Sequence, residues 1–147
     1  MRDATILVVE AEPSERDRVL RALATCTSAS RVVGVDSGPA ALDYLLARGP
    51  HAARDARKQP RLVLLGLEGD AGLELLDTIR QTPQTQALPV VHLVSPAAPR
   101  AAQDAWYKAG VNSVVGRAPD DNELLRKMRR LHDFWITVNE ADRHSRV

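Results

Sequence analysis

Short runs of Val, Leu and Ile alternate along this chain with longer stretches whose apolar residues recur at every third or fourth position. Residues 6–9 are apolar throughout, the pattern of a strand covered on both faces. Pro13 stands where the first turn of a helix accepts it, and the spacing predicts a helix over residues 13–25 with Val19, Leu20 and Leu23 inward. Arg16, Arg18 and Arg21 are expected on its water-facing side. Residues 31–35 read as a second strand. Residues 40–48 read as a second helix, with Ala41, Leu42, Leu45 and Leu46 as its stripe and Gly49-Pro50 as its stop. The polar stretch 51–60 is long for a helix-to-strand connection and is expected to be a surface loop.

The rhythm continues with a central strand at 62–67 and a helix over 71–81 carrying Leu73, Leu76 and Ile79. Pro89 introduces a strand at 90–94, and a helix over 100–109 is ended by Gly110. Residues 113–115 form a short fifth strand. The last helix opens at Asp120 or Asp121, where Asp120 and Glu123 have capping-box spacing. Its stripe of Leu124, Leu125, Met128 and Leu131 runs on into Phe134, Trp135 and Val138. This alternation predicts an α/β fold, a doubly wound five-stranded parallel sheet with helices on both faces. One domain is expected over residues 1–138, including an extension of the last helix, followed by a frayed polar tail at 139–147. Ligand chemistry in such a sheet belongs at the carboxyl ends of the strands. Those ends fall at residues 10–12, 66–70, 94–96 and 116–119.

Composition narrows the classes. A chain of 147 residues can bury a real core, and with aromatics at only 3% the interior must be filled by Leu, Val and Ala. A net charge of +1 supplies no long-range field for nucleic acid. The lone Cys26 excludes an intramolecular disulfide and suits a reducing cytoplasm. No apolar run approaches the ~18 residues of a membrane helix, and the immediate strand pattern is expected to leave no signal peptide. A cytoplasmic protein without a nucleic-acid or membrane partner is expected.

Four stretches carry a family likeness: Ile6-Leu7-Val8-Val9-Glu10-Ala11-Glu12-Pro13, Pro60-Arg61-Leu62-Val63-Leu64-Leu65-Gly66-Leu67, Leu88-Pro89-Val90-Val91-His92-Leu93-Val94-Ser95 and Ala109-Gly110-Val111-Asn112-Ser113-Val114-Val115. In order and spacing, residues 5–138 resemble the receiver domain of bacterial two-component response regulators. The loop after the second helix and the ending Asp133-Phe134-Trp135-Ile136-Thr137-Val138 are similar, more narrowly, to the stand-alone receivers that partner bacterial phytochromes. In that family an acidic pair after the first strand and an aspartate after the third hold magnesium, and the aspartate accepts a phosphoryl group from a histidine kinase. A hydroxyl after the fourth strand and a lysine after the fifth contact that group. The transfer needs a carboxylate in line with its donor and cations around the charged oxygens.

Carried onto this sequence, the acidic pair falls on Glu10 and Ala11, and the acceptor falls on Gly66. The hydroxyl position is Val94 and the lysine position is Arg117. The family's aromatic switch residue falls on Val114, and its proline is displaced to Pro119. The resemblance thus implies a degenerate receiver with no catalytic residue, metal ion or cofactor, acting through protein–protein contacts. The implied partners are a second copy of the chain, a histidine kinase or a bacteriophytochrome. Two alternatives stay open. Glu68 or Asp70 could serve as a displaced acceptor, although displacement loses in-line alignment. The vacated pocket could also sense a small ligand.

Other features have plainer readings. Gly66, Gly69 and Gly72 make a glycine spacing that is not the dinucleotide fingerprint. His92 reads as a hydrogen-bonded core histidine, and Ser95 as a turn residue. Arg126, Lys127, Arg129 and Arg130 read as a solvated helix face. Phe134, Trp135 and Ile136 are consecutive, and side chains about 100° apart cannot all face inward. With Trp106, Tyr107 and Val138 they are expected to form an interface, since aromatics are the usual anchors. In the receivers resembled, the last two helices, the fifth strand and the extension form homodimers.

Overall fold

The apolar runs at 6–9, 62–65 and 90–94 are buried at every position because helices cover both faces of the sheet that they form. The computed structural model describes residues 4–28 and 31–138, so the polar tail lies outside the described residues. In chain order the elements are β1 (Ile6–Val9), α1 (Pro13–Ala24), β2 (Val32–Val35), α2 (Gly38–Leu45), β3 (Leu62–Leu65), α3 (Gly69–Gln81), β4 (Val90–Val94), α4 (Arg100–Lys108), β5 (Ser113–Gly116) and α5 (Asp121–His132). The sheet order is β2-β1-β3-β4-β5 and every pairing is parallel. The register sets Val9 beside Leu65, Leu65 beside His92 and Val94 beside Gly116.

Alternation along each strand divides the core in two. Leu7, Val9, Val63, Leu65 and Val90 meet Tyr44, Leu45, Leu75, Leu76 and Ile79 on the face covered by α2, α3 and α4. Ile6, Val8, Leu62, Leu64, Val91 and Leu93 meet Val19 and Leu23 of α1 and Leu124, Met128 and Leu131 of α5 on the other. Each fully buried aliphatic side chain contributes roughly 1.5–3 kcal/mol relative to exposure.

The helix ends follow local chemistry. The Ser37 hydroxyl accepts from the Ala40 N–H at 3.2 Å, so α2 opens two residues before the predicted start, and it closes at Leu45. The Asp120 carboxylate caps α5 by accepting from the Glu123 N–H at 2.9 Å. Gly110, at φ 103°, ends α4 as expected. Its N–H donates to Tyr107 O and that of Val111 to Trp106 O, the paired bonds of a Schellman turn.

Two expectations need correction and a third needs an addition. Residues 51–60 form the expected surface loop, but it is anchored from within. Arg54 is buried, its guanidinium lies 3.9 Å from the centroid of the Tyr44 ring, and it donates to the carbonyls of Tyr44 and Lys58. The Gln59 amide adds bonds to Leu45 O and Ala56 O. A guanidinium is weakly hydrated and stacks well, so a polar sequence can still be pinned down. Trp106 is not an interface residue; it is 3% exposed, deep in the α3–α4 core. After α5 the chain widens into a π-helical turn over Asp133–Val138. Successive side chains turn through a smaller angle there than in an α-helix, so Trp135 and Ile136 both pack on the α1–α5 core. Phe134 is left 50% exposed and Tyr107 51%. The side chain of Val138 lies outside the described residues.

Candidate functional site

The chain leaves β1 in one direction to form β2 and returns past it to form β3, so a crevice opens between the carboxyl ends of β1 and β3. Glu10 follows β1 and Gly66 follows β3. Their backbones are tied together by the Gly66 N–H donating to Val9 O at 2.7 Å. Val94 closes β4 and is buried. Its carbonyl accepts from the Arg117 N–H at 2.8 Å, which fixes the loop after β5. Glu10, Gly66 and Arg117 thus meet in an open cleft of about 470 Å³, which Ala11, Glu12, Glu15 and Glu68 also line.

Arg117 dominates this cleft. Its Nη2 donates to the Gly66 carbonyl at 2.6 Å and lies 2.8 Å from Glu10 Oε1, an ion-pair contact without hydrogen-bond alignment. Its Nη1 reaches Glu15 Oε2 at 3.2 Å. Glu15 is shared with Arg18, 2.5 Å away, which also pairs with Asp121 at 2.8 Å and donates to the carbonyls of Ala118 and Pro119. An alternating chain of charge, Glu10, Arg117, Glu15, Arg18 and Asp121, therefore runs from the strand ends to the start of α5. Arg16 donates to Glu10 O at 2.8 Å. Arg16 and Arg18 are thus half-buried brackets, correcting the expectation of a wet face, and Arg21 alone of the three is exposed.

Gly66 has no room for a side chain in this arrangement. A Cβ there would lie 2.5 Å from Glu10 Oε1 and 3.0 Å from Arg117 Nη2. Gly69 takes φ 65° at the first turn of α3, where a Cβ would meet open space. At Gly72 a Cβ would lie 2.3 Å from Leu67 O and 2.6 Å from the Trp106 ring. The three glycines serve three different local needs and do not form one anion cradle.

The nearby acids are engaged as well. Glu12 caps α1, accepting from the Ser14 hydroxyl at 2.5 Å and from the Glu15 N–H at 2.9 Å. Those two bonds, the hydroxyl's first, hold its carboxyl below the usual range. Glu68 Oε1 accepts from the Ser95 N–H at 2.7 Å across the mouth of β4. Asp70 sits in the first turn of α3 and does not line the cleft. Ser95 Oγ accepts from the Ala97 N–H at 3.3 Å, as a turn residue does.

His92 is 1% exposed, with Nδ1 2.8 Å from Leu65 O and its ring stacked on Trp106 at 3.7 Å. Burial pushes its pKa below the ordinary histidine value, and Arg117 pushes the same way. The bond to Leu65 O and the Glu68 charge oppose that shift. Of the basic residues on α5, Arg126, Arg129 and Arg130 are exposed. Lys127 turns inward to donate to Gly116 O at 2.7 Å.

The cleft does not suit the divalent ion that ordinary receivers of the resembled family hold, as the degenerate site led one to expect. Glu10 Oε1 and Gly66 O, the two oxygens best placed for it, are both taken by one guanidinium nitrogen, and Ala11 offers no ligand. Among the described residues, no three His, Cys, Asp or Glu side chains are grouped to hold a metal. Glu15, Arg18 and the capping role of Glu12 were missed from sequence. Pro13 marks the start of α1 and so hints at a cap in Glu12. No local pattern, however, pairs Arg117 with a residue 102 positions away.

The chain matches no protein-family model. It is 30% identical over 139 residues to the "Probable methanogenesis regulatory protein FilR2" of Methanothrix harundinacea, covering 92% of this chain and 86% of the relative. Among solved structures, the bacteriophytochrome response regulator AtBRR is 35% identical with a TM-score of 0.68, over 92% of this chain and 96% of that one. The phosphorylated cyanobacterial phytochrome response regulator RcpA is 26% identical with a TM-score of 0.80, over 96% and 99%.

Proposed function

The chain belongs to the response-regulator receiver family, and from that premise we propose that it is a receiver that has given up phosphorylation and signals through protein contacts alone. The observation that carries this reading is the state of residue 66. It has no side-chain oxygen, and the space where an acceptor carboxylate would begin is held by Glu10 and Arg117. Val94 adds that the position where the family keeps its hydroxyl offers none. Without a nucleophile there is no acyl phosphate to form, so the protein performs no chemistry of its own. Any switching has to come from a partner that binds one conformation better than another.

The partners consistent with this role are a histidine kinase or bacteriophytochrome, and a second copy of the chain, all met in the cytoplasm. Phe134 and Tyr107 support the dimer, as the large apolar side chains left half exposed among the described residues. No described helix is long and apolar enough to cross a membrane.

Incubation with acetyl phosphate and magnesium, followed by intact-mass measurement, is expected to leave the mass unchanged. A stoichiometric gain of one phosphoryl group would overturn the proposal. If such a gain disappeared in Asp70→Ala or Glu68→Ala, the reading with a displaced acceptor would replace it. The bond from the Ser95 N–H argues against Glu68, because it engages one oxygen of this carboxylate at the end of β4 and takes it out of free in-line alignment.

A further inference from the structure

We infer that the Arg117 guanidinium is the resident cation of this pocket: it excludes a divalent metal and, in the place of one, ties the loop after β5 to β1, β3 and α1. The inference rests on the receiver reading, because it concerns the place where that family keeps its ion.

Magnesium needs near-octahedral oxygen ligands at roughly 2.0–2.1 Å. Here the Glu10 carboxylate and the Gly66 carbonyl both face the same nitrogen, at 2.8 and 2.6 Å, so an ion between them would coincide with Nη2. The third oxygen within reach belongs to Glu15, and it faces Nη1 of the same side chain. Glu12 lines the cleft, but its Oε2 is engaged in the cap of α1. A planar fork with several donors can bond the Gly66 carbonyl and the Glu15 carboxylate while keeping its charge beside Glu10 Oε1, which a lysine ammonium at the same distance could do less well.

The mechanical half follows from where these groups sit. Arg117 comes from the β5–α5 loop, Glu10 from the end of β1, Gly66 from the end of β3 and Glu15 from α1. One side chain therefore joins four segments, and Arg18 repeats the motif one step outward by holding the carbonyls of Ala118 and Pro119. The loop is positioned by contacts internal to the chain.

The test is a titration with manganese(II) alone, followed by water-proton relaxation, on the full chain and on Arg117→Met. The wild-type chain is expected to show no saturable binding. Arg117→Met is expected to bind at least about tenfold tighter, and Glu10→Gln in that background should remove the gain. Saturable manganese binding by the wild-type chain as tight as that of the variant would overturn the inference, as would a folded variant that gains nothing. Arg117→Gln, closer in shape and polarity, takes the place of Arg117→Met if the latter fails to fold by circular dichroism. Manganese binding without phosphoryl uptake from acetyl phosphate would sink this inference alone, whereas phosphoryl uptake would sink the receiver reading beneath it.

Discussion

His92 shows how one buried residue can give the whole fold a pH dependence. In the folded chain it is neutral, stacked on Trp106 and bonded to Leu65 O, with its pKa pushed below the ordinary value by burial. In the unfolded chain it titrates near ~6.5. Between those two values the unfolded state binds more protons, so stability is full above the ordinary pKa and falls as pH drops toward the folded one. Urea midpoints measured from pH 7.5 down to pH 5 are expected to decline. His92→Asn keeps a donor for Leu65 O but cannot charge, and it should flatten that decline. A slope unchanged in the variant would assign the effect elsewhere. The sequence already marked His92 as interior from its strand position. Its neighbour Trp106 was misassigned, because it is the one buried residue of α4 and its ring packs on His92 and over a glycine of another helix.

At the scale of elements, the apolar runs identify the strands directly, since a buried parallel strand admits few other residues. Helix boundaries were less legible. The starts of α2 and α3 depend on the Ser37 hydroxyl and on the positive φ of Gly69, neither of which shows in periodicity. The packing of α3 against α4 depends on Gly72, whose missing side chain lets the Trp106 ring approach. Gly72→Ala would press a Cβ against Leu67 O, a backbone atom with little freedom to yield. The cost is expected to be about 1–3 kcal/mol. That should appear as a lower melting temperature, and a melt equal to wild type would mean the two helices are not tightly seated. The anchoring of loop 51–60 was not foreseen, for a related reason. Composition marks Arg54 as solvent-seeking, and only the fold brings it over Tyr44.

For the whole molecule, the topology and the location of the cleft followed from the order of the strands, while the cleft's wiring did not. Arg117 meets Glu15 and Arg18 meets Asp121 across more than a hundred residues, and no spacing rule joins such pairs. The outer surface was half legible. The aromatic ending was conspicuous, but the π-helical turn sends Trp135 and Ile136 inward and leaves Phe134 exposed with Tyr107. If the surface around Phe134 joins two copies, Phe134→Glu should shift the intact chain from dimer to monomer in sedimentation while its far-ultraviolet spectrum stays unchanged. Equal masses for the two proteins would remove Phe134 from any self-association.

The bracket formed by Arg117 has one more consequence. A bound ion comes and goes with its concentration and can be stripped by a chelator, but a positive charge built into the polypeptide arrives at synthesis and departs only at degradation. On the inference above, the positive charge at the tips of β1 and β3 does not depend on the supply of divalent ions, and a copy of this protein carries it from its first minute to its last.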